Sequence, residues 1–247
     1  MIKSSGTSPF DARLGSVPEG IRIYAIGDIH GRLDLLEAVL ARVETDIVVN
    51  PALNPIRVFL GDYIDRGPDS RRVLDRLIDC CAAQPTVCLL GNHEVFLREF
   101  LKSPAILPIW RRCGGLATLA SYGLAPKIEV DDQSQQALAS EFNRIFPSRH
   151  SDFLSSLQQY FICGDFFFVH AGVRPGICLT KQSEDDLLWI REDFLLCNDT
   201  FGKFVVHGHT PVLEPDIRPN RINIDTGAYV TGRLTCLVLE SDTMRFI

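Results

Sequence analysis

Short apolar runs recur along the chain, and each ends abruptly in a polar cluster. Ile21–Ile26 leads into Gly27-Asp28-Ile29-His30-Gly31, and Arg57–Leu60 into Gly61-Asp62-Tyr63-Ile64-Asp65-Arg66-Gly67. Thr86–Leu90 leads into Gly91-Asn92-His93-Glu94, and Phe166–Val169 into His170-Ala171-Gly172. Phe204–Val206 leads into His207-Gly208-His209-Thr210, and Ile222–Ile224 into Asp225-Thr226-Gly227-Ala228. Leu234–Leu239 closes the series. Short runs of this composition bounded by turn residues predict strands. Between the early runs the period changes. Apolar residues at 33, 35, 36, 39, 40 and 43 predict a helix over Leu33–Val43, and Val73, Leu74, Leu77 and Ile78 predict one over Ser70–Cys81. Strands alternating with helices imply βαβ units, an α/β fold and a largely buried sheet. Ligands of such sheets bind at the carboxyl ends of the strands. The polar clusters sit at those ends and are therefore read as one site.

Residues 95–160 break the alternation. Val95–Leu101, Ala117–Tyr122 and Gln135–Phe146 are helical in pattern, with Pro104, Pro108 and Pro126 as breakers. This stretch is read as a helical insertion beside the site, within a catalytic domain spanning 21–247. Residues 1–20, rich in Ser, Gly and Pro, are read as a flexible lead-in. Asp131-Asp132 is read as a solvated loop, His150 as a surface residue, and Phe166-Phe167-Phe168 as a buried strand.

Composition narrows the function classes. With 25 basic against 31 acidic residues the net charge is −6, which disfavours a dedicated nucleic-acid binder. An anionic substrate stays open, because bound cations would supply local positive charge. No apolar run reaches the roughly 20 residues of a membrane span. The eight cysteines are scattered, and the N-terminus lacks a continuous apolar stretch behind a basic start. Reduced thiols and a cytoplasmic location are expected.

The clusters pool carboxylates from Asp28 and Asp62, an amide oxygen from Asn92, and imidazoles from His30, His170 and His207. Mixed oxygen and nitrogen donors without thiolate suit Mn, Fe or Zn. Two divalent ions are expected, Mn first, held about 3.5–4 Å apart so that a hydroxide activated between them attacks phosphate directly. Asp62, a carboxylate centrally placed in the ligand order, is the candidate bridge. His93 directly follows Asn92 and can protonate the leaving oxygen. Asp65 can pair with His93 and favour its protonated form. Arg66 and Arg191 carry forked donors suited to phosphate oxygens, and Asn92 is counted with them at the phosphate. His209 is read as a supporting group and Asp225 as a loop brace.

The first three clusters resemble the signature motifs of the phosphoprotein phosphatase family of serine/threonine phosphatases, and the two later histidine clusters resemble its remaining ones. The match runs over residues 21–239. It looks closest to the short bacterial and phage-like branch, through Trp110-Arg111-Arg112-Cys113-Gly114-Gly115, Thr118-Leu119 and Ser121-Tyr122-Gly123. Many relatives carry Asn where Cys113 stands. The resemblance implies a calcineurin-like metallophosphoesterase fold, two packed sheets flanked by helices. It implies Asp28, His30 and Asp62 for one ion and Asp62, Asn92, His170 and His207 for the other. It also implies His93 with Asp65 as the acid pair, and Arg66 with Arg191 at phosphate. The expected partner is a phosphoprotein or a small phosphoester, with no nucleic acid and no membrane. A protein serine/threonine phosphatase is favoured on Tyr63-Ile64-Asp65-Arg66-Gly67 and Glu94. The alternative is a dinucleoside polyphosphate hydrolase, a bis(5'-nucleosyl)-tetraphosphatase. The complete ligand set argues against an inactive scaffold.

Overall fold

The structure is a computed structural model that describes residues 15–125 and 131–247. The first half contains β1 (Ile21–Ile26), α1 (Leu33–Val49), β2 (Asn54–Phe59), α2 (Ser70–Ala83), β3 (Thr86–Cys88), α3 (Asn92–Lys102), α4 (Leu107–Trp110), α5 (Gly115–Ser121), α6 (Asp132–Ile145) and α7 (Ser148–Ser156). The second half contains β4 (Tyr160–Cys163), β5 (Phe166–Val169), α8 (Glu184–Trp189), α9 (Glu192–Leu195), β6 (Phe204–His207), β7 (Asp216–Ile217), β8 (Arg221–Asn223), α10 (Ala228–Thr231), β9 (Cys236–Glu240) and β10 (Thr243–Phe246).

Alternation along the strands decides how these elements layer. Successive side chains on a strand point to opposite faces. On β1, Tyr24 and Ile26 enter a core shared with Leu36, Val39 and Leu40 of α1 and Val73, Leu74 and Leu77 of α2. Ile23 and Ala25 point the other way, into a second core. That core also receives Phe166, Phe168, Val206 and Ile222 from the other sheet. The first sheet has the order β10-β9-β1-β2-β3 and the second β4-β5-β6-β8-β7. The second sheet's outer face, with Phe167 and Val205, is covered by Leu187, Ile190 and Phe194. The molecule is therefore two packed sheets with helices outside, the α/β sandwich expected.

The parallel pairs β1–β2–β3 and β5–β6–β8 bring strand carboxyl ends together, and the polar clusters follow them. The helical segment runs from α3 to α7, and α3 begins at Asn92, inside the site itself. Pro108 lies in the first turn of α4, where its missing N–H leaves no bond unmade, so it starts a helix rather than breaking one. Pro126 lies outside the described residues.

Three expectations change. Of the lead-in, residues 1–14 lie outside the described residues, but 15–20 are anchored to the fold through Ser16 and Val17. Ser16 donates to Asp165 Oδ2 from its N–H at 2.9 Å, and Val17 is a core residue. Asp131 is the N-cap of α6, its carboxylate accepting from Ser134 N–H at 2.8 Å, rather than a loop residue. His150 is wholly buried on α7, with Nδ1 2.6 Å from the Tyr122 hydroxyl and Nε2 2.6 Å from Asp75 Oδ1. The helix α7 went unread because Pro147 and a serine-rich surface mask its few apolar positions.

Candidate metal centre

Asp62 sits at the middle of the site and turns one carboxylate oxygen to each side. Oδ2 lies 3.6 Å from His30 Nε2, and Oδ1 lies 3.4 Å from His170 Nε2. On the His30 side, His93 Nε2 is 3.8 Å from the same Oδ2. On the His170 side, Asn92 Oδ1 is 2.9 Å from both His170 Nε2 and His209 Nδ1. Two groups able to hold a metal result: His30, Asp62 and His93, and Asp62, His170 and His209. Asp28 joins the cluster through Oδ2, which accepts from His209 N–H at 3.0 Å. All of these side chains are buried.

The donor set fits divalent cations on structural grounds. His30 Nδ1 is 2.9 Å from the Ile64 carbonyl, and His170 Nδ1 is 2.9 Å from the Leu60 carbonyl. A carbonyl only accepts, so each Nδ1 carries the proton and each Nε2 presents a lone pair to the cluster. Backbone anchoring of the distal ring nitrogen is the usual way a ligating histidine is oriented. Burial pushes the His30 pKa down to about 3 and lowers that of His170, which keeps both rings neutral. Lone pairs and carboxylate oxygens thus face one another at close range. Asp28 Oδ1 is buried with no hydrogen-bond partner. Burial, with the charges of Asp225 and Asp62, pushes the Asp28 carboxyl well above the usual range. A buried, unpaired oxygen among like charges calls for a cation.

The backbone at this edge is bent in an unusual way. His30, Asp62, Asp65, Arg66 and His209 have φ of 47°, 52°, 71°, 67° and 67°. Left-handed non-glycine residues are uncommon, and their clustering at a cleft is a sign of function. Long-range hydrogen bonds hold them there. The Glu94 carboxylate accepts from the N–H groups of Asp62 at 2.9 Å, Tyr63 at 2.8 Å and Gly91 at 3.1 Å. His30 N–H donates to Asp62 O at 2.8 Å, and Gly67 N–H to His30 O at 3.0 Å. A Cβ on Gly208 would lie 2.0 Å from Asp28 Oδ1, so the two strand ends meet only because residue 208 is glycine.

His93, on the first turn of α3, points Nδ1 at Asp65 Oδ2, 2.6 Å away. Burial alone would lower the His93 pKa. The charge of Asp62 and the bond to Asp65 outweigh it and hold it above the ordinary histidine value. The insertion fixes Asp65: Trp110 Nε1 donates to Oδ2 at 2.8 Å, and Thr118 Oγ1 donates to Oδ1 at 2.5 Å. Arg66 reaches the mouth, with Nη2 3.4 Å from His93 Nε2 and its guanidinium stacked 4.4 Å over the Tyr229 ring. Arg191 is exposed beside the other group, and its Nη1 donates to Thr210 Oγ1 at 3.1 Å.

Asp28, His30, Asp62, Asn92, His93, Asp65 and His170 are therefore brought together as expected, with Arg66 and Arg191 at the rim. His207 is not. It is the last residue of β6, so its side chain follows Val205 to the outer face of the sheet. There its ring packs edge-on against Phe194, 4.9 Å between centroids, and its Nε2 is buried without a partner. His209, read from the sequence as a supporting group, takes the place beside His170 and Asn92. The local sequence held no decisive signal for this: Asp28, Asp62, Asn92 and His209 each follow a glycine, but His30 and His170 do not. Asp225 braces its loop as expected, accepting from Gly227 N–H at 2.9 Å. Tyr229, the ring under the Arg66 guanidinium, went unread because nothing in its local pattern marks it.

Known proteins resemble this chain in sequence and fold. Over 241 residues the chain is 27% identical to the asymmetrical bis(5'-nucleosyl)-tetraphosphatase PrpE of Anoxybacillus flavithermus, covering 86% of this chain and 88% of that protein. It is 27% identical to the PrpE protein of Bacillus subtilis, covering 85% and 87%. Among solved structures, the cold-active protein-tyrosine phosphatase of a psychrophilic Shewanella superposes with a TM-score of 0.55 at 16% identity, covering 98% of this chain and 87% of that one, a likeness of fold. No helix among the described residues is long and apolar enough to cross a membrane. The sequence model of calcineurin-like phosphoesterases matches residues 21–235, and the chain belongs to that family of metallophosphoesterases.

Proposed function

We propose that the chain hydrolyses dinucleoside polyphosphates, with a bis(5'-nucleosyl)-tetraphosphate as the substrate class. The observation that carries this reading is the likeness, over more than four-fifths of the chain, to proteins named as bis(5'-nucleosyl)-tetraphosphatases. The sequence had favoured a protein phosphatase on Tyr63 through Gly67 and Glu94. Those residues do not discriminate. Tyr63 is buried, its hydroxyl donating to the Leu89 carbonyl at 2.6 Å, and Glu94 is spent on backbone N–H groups. Both build the loops that carry the ligands, which either substrate needs.

In this reading Asp28, His30 and Asp62 would hold one divalent cation, and Asp62, Asn92, His170 and His209 would hold a second. Bound there, such ions would neutralise phosphate charge and make water nucleophilic near neutral pH. The protein's own groups do the rest. Arg66 and Arg191 grip phosphate oxygens from opposite rims with bidentate donors. His93, kept protonated by Asp65, gives its Nε2 proton to the leaving oxygen as the phosphorus–oxygen bond breaks. Trp110 and Thr118 lock Asp65, so the acid is aimed before substrate arrives.

The test compares kcat/KM for diadenosine tetraphosphate and for a phosphoserine peptide, with Mn supplied to both. The dinucleotide is expected to be the better substrate. Turnover of the peptide alone would overturn the proposal in favour of a protein phosphatase.

A further inference from the structure

We infer that Trp189 is the platform on which one nucleobase of the substrate stacks, an inference that rests on the dinucleotide reading above. Trp189 ends α8 and is 39% exposed, beside the metal cluster. Its ring meets His209 at 6.1 Å and 88° between planes, and Phe96 at 5.5 Å and 70°. These two contacts are edge-type, and no ring among the described residues lies parallel to the indole. Phe96 in turn stands edge-on to His93, 6.1 Å away. The indole is thus held in place by neighbours of the site while part of its surface faces solvent. Two residues on, Arg191 presents its guanidinium at the same rim, tethered to Thr210.

A bare phosphate would engage Arg191 and leave the indole in water. A nucleotide engages both. Its phosphate meets the arginine while its base, planar and apolar on its faces, covers the indole. Among the described residues the opposite rim offers no equal platform. Tyr229 there is already covered by the Arg66 guanidinium and abuts His30, 5.2 Å between centroids. Recognition is therefore one-sided: Trp189 takes one nucleoside, and the polyphosphate extends across the site toward Arg66. Stacking of this kind is tolerant of base identity, because every base has a π-face. Trp189 therefore selects nucleotides over baseless phosphates without choosing adenine over guanine.

The test uses Trp189→Ala and Trp189→Phe in the full chain with Mn. Loss of the indole should raise KM for diadenosine tetraphosphate roughly 5- to 150-fold, and phenylalanine should recover most of that loss. Binding is read independently through fluorescence. The other tryptophan, Trp110, is wholly buried, so the solvent-facing signal belongs to Trp189. ATP should quench it, tripolyphosphate at equal concentration should not, and Trp189→Phe should abolish the ATP response. Equal responses to ATP and tripolyphosphate, or an unchanged KM in Trp189→Ala, would overturn the platform. A wild-type protein whose Trp189 is quenched by ATP but which leaves diadenosine tetraphosphate intact would instead sink the functional reading and keep the platform.

Discussion

Substitution of Gly208 by alanine should disable the proposed metal centre by displacing Asp28, without replacing any proposed ligand. An alanine Cβ would lie 2.0 Å from Asp28 Oδ1 and 3.1 Å from its Cγ, where real contacts stay beyond 3.0 Å. One partner must therefore move by about 1 Å. The backbone at 208 cannot easily retreat, because Gly208 N–H donates to His170 O at 2.8 Å and the next N–H is bound to Asp28 itself. Its φ lies outside the left-handed region, so the alanine carries no conformational strain of its own. The carboxylate is the part that yields. Metal–ligand distances tolerate only about 0.2 Å, so a shift of this size removes Asp28 Oδ1 from the coordination sphere. Disturbing the groups that orient a ligand weakens metal binding by about 10–100-fold, and direct displacement belongs at the upper end. We expect Mn affinity to fall roughly 100-fold, or about 2.7 kcal/mol. The assay is calorimetric Mn titration of metal-stripped protein, with p-nitrophenyl phosphate hydrolysis at limiting Mn alongside and circular dichroism to check the fold. Because the effect runs through Asp28, Asp28→Ala and Asp28→Ala/Gly208→Ala should be equally impaired. Wild-type Mn affinity in Gly208→Ala, or additive losses in the double variant, would refute the reasoning.

Three further outcomes are expected. His93→Asn should lower kcat by about 10²–10⁴-fold while metal content stays at the wild-type level, and should hurt an alkyl phosphate more than a polyphosphate, whose leaving oxygen needs less protonation; loss of metal in that variant would make His93 a ligand instead. Tyr229→Ala frees the Arg66 guanidinium now held 4.4 Å over its ring, and a cation–π contact of about 0.5–2 kcal/mol corresponds to a rise in KM of roughly 2- to 30-fold, with an unchanged KM excluding a positioning role. Metal-free wild type should lose more stability than metal-free His207→Phe as pH falls below about 6.5, read as the urea midpoint from pH 8 to pH 5. Burial lowers His207 to about 3, whereas the buried carboxyls of Asp28, Glu94 and Asp225 are raised and act in the opposite sense, so the difference between the two proteins isolates the ring. The unfolded chain takes up the His207 proton first, and that stabilisation, complete above the unfolded value, drains away below it; an equal shift in the two midpoints would contradict the burial of His207 as a neutral group.

The layered fold was legible because its signals are local and periodic. Alternation in Ile21–Ile26 and helical spacing in Leu33–Val43 depend on near neighbours, and the structure keeps both. What escaped depends on partners far along the chain. His150 reads as polar surface, yet it is buried because Tyr122 and Asp75 supply a partner for each ring nitrogen. Read from the sequence, Tyr63 and Glu94 count in favour of a protein phosphatase, yet they serve backbone groups up to 32 residues away.

The choice between His207 and His209 turns on the same distinction. Both stand beside Gly208, and ligand chemistry alone favours neither. The outcome is set by where β6 ends. A residue still on the strand keeps the alternation of Val205 and is carried to the outer face. A residue past the glycine is free of that alternation and can take a left-handed turn back toward the cleft, as His209 does at φ 67°. The same step places Asp62, after Gly61, at φ 52°. Such conformations are unfavourable for residues other than glycine unless surrounding bonds fix them. Here the bonds are reciprocal: His209 N–H holds Asp28, while Glu94 holds Asp62 N–H and the Asp62 carboxylate accepts from His93 N–H at 3.1 Å. Each ligand-bearing turn is thus a condition for the next. A substitution at Gly61 or Gly91, where a Cβ would meet the backbone of the neighbouring turn rather than the end of one side chain as at Gly208, should therefore disturb the whole centre rather than a single ligand.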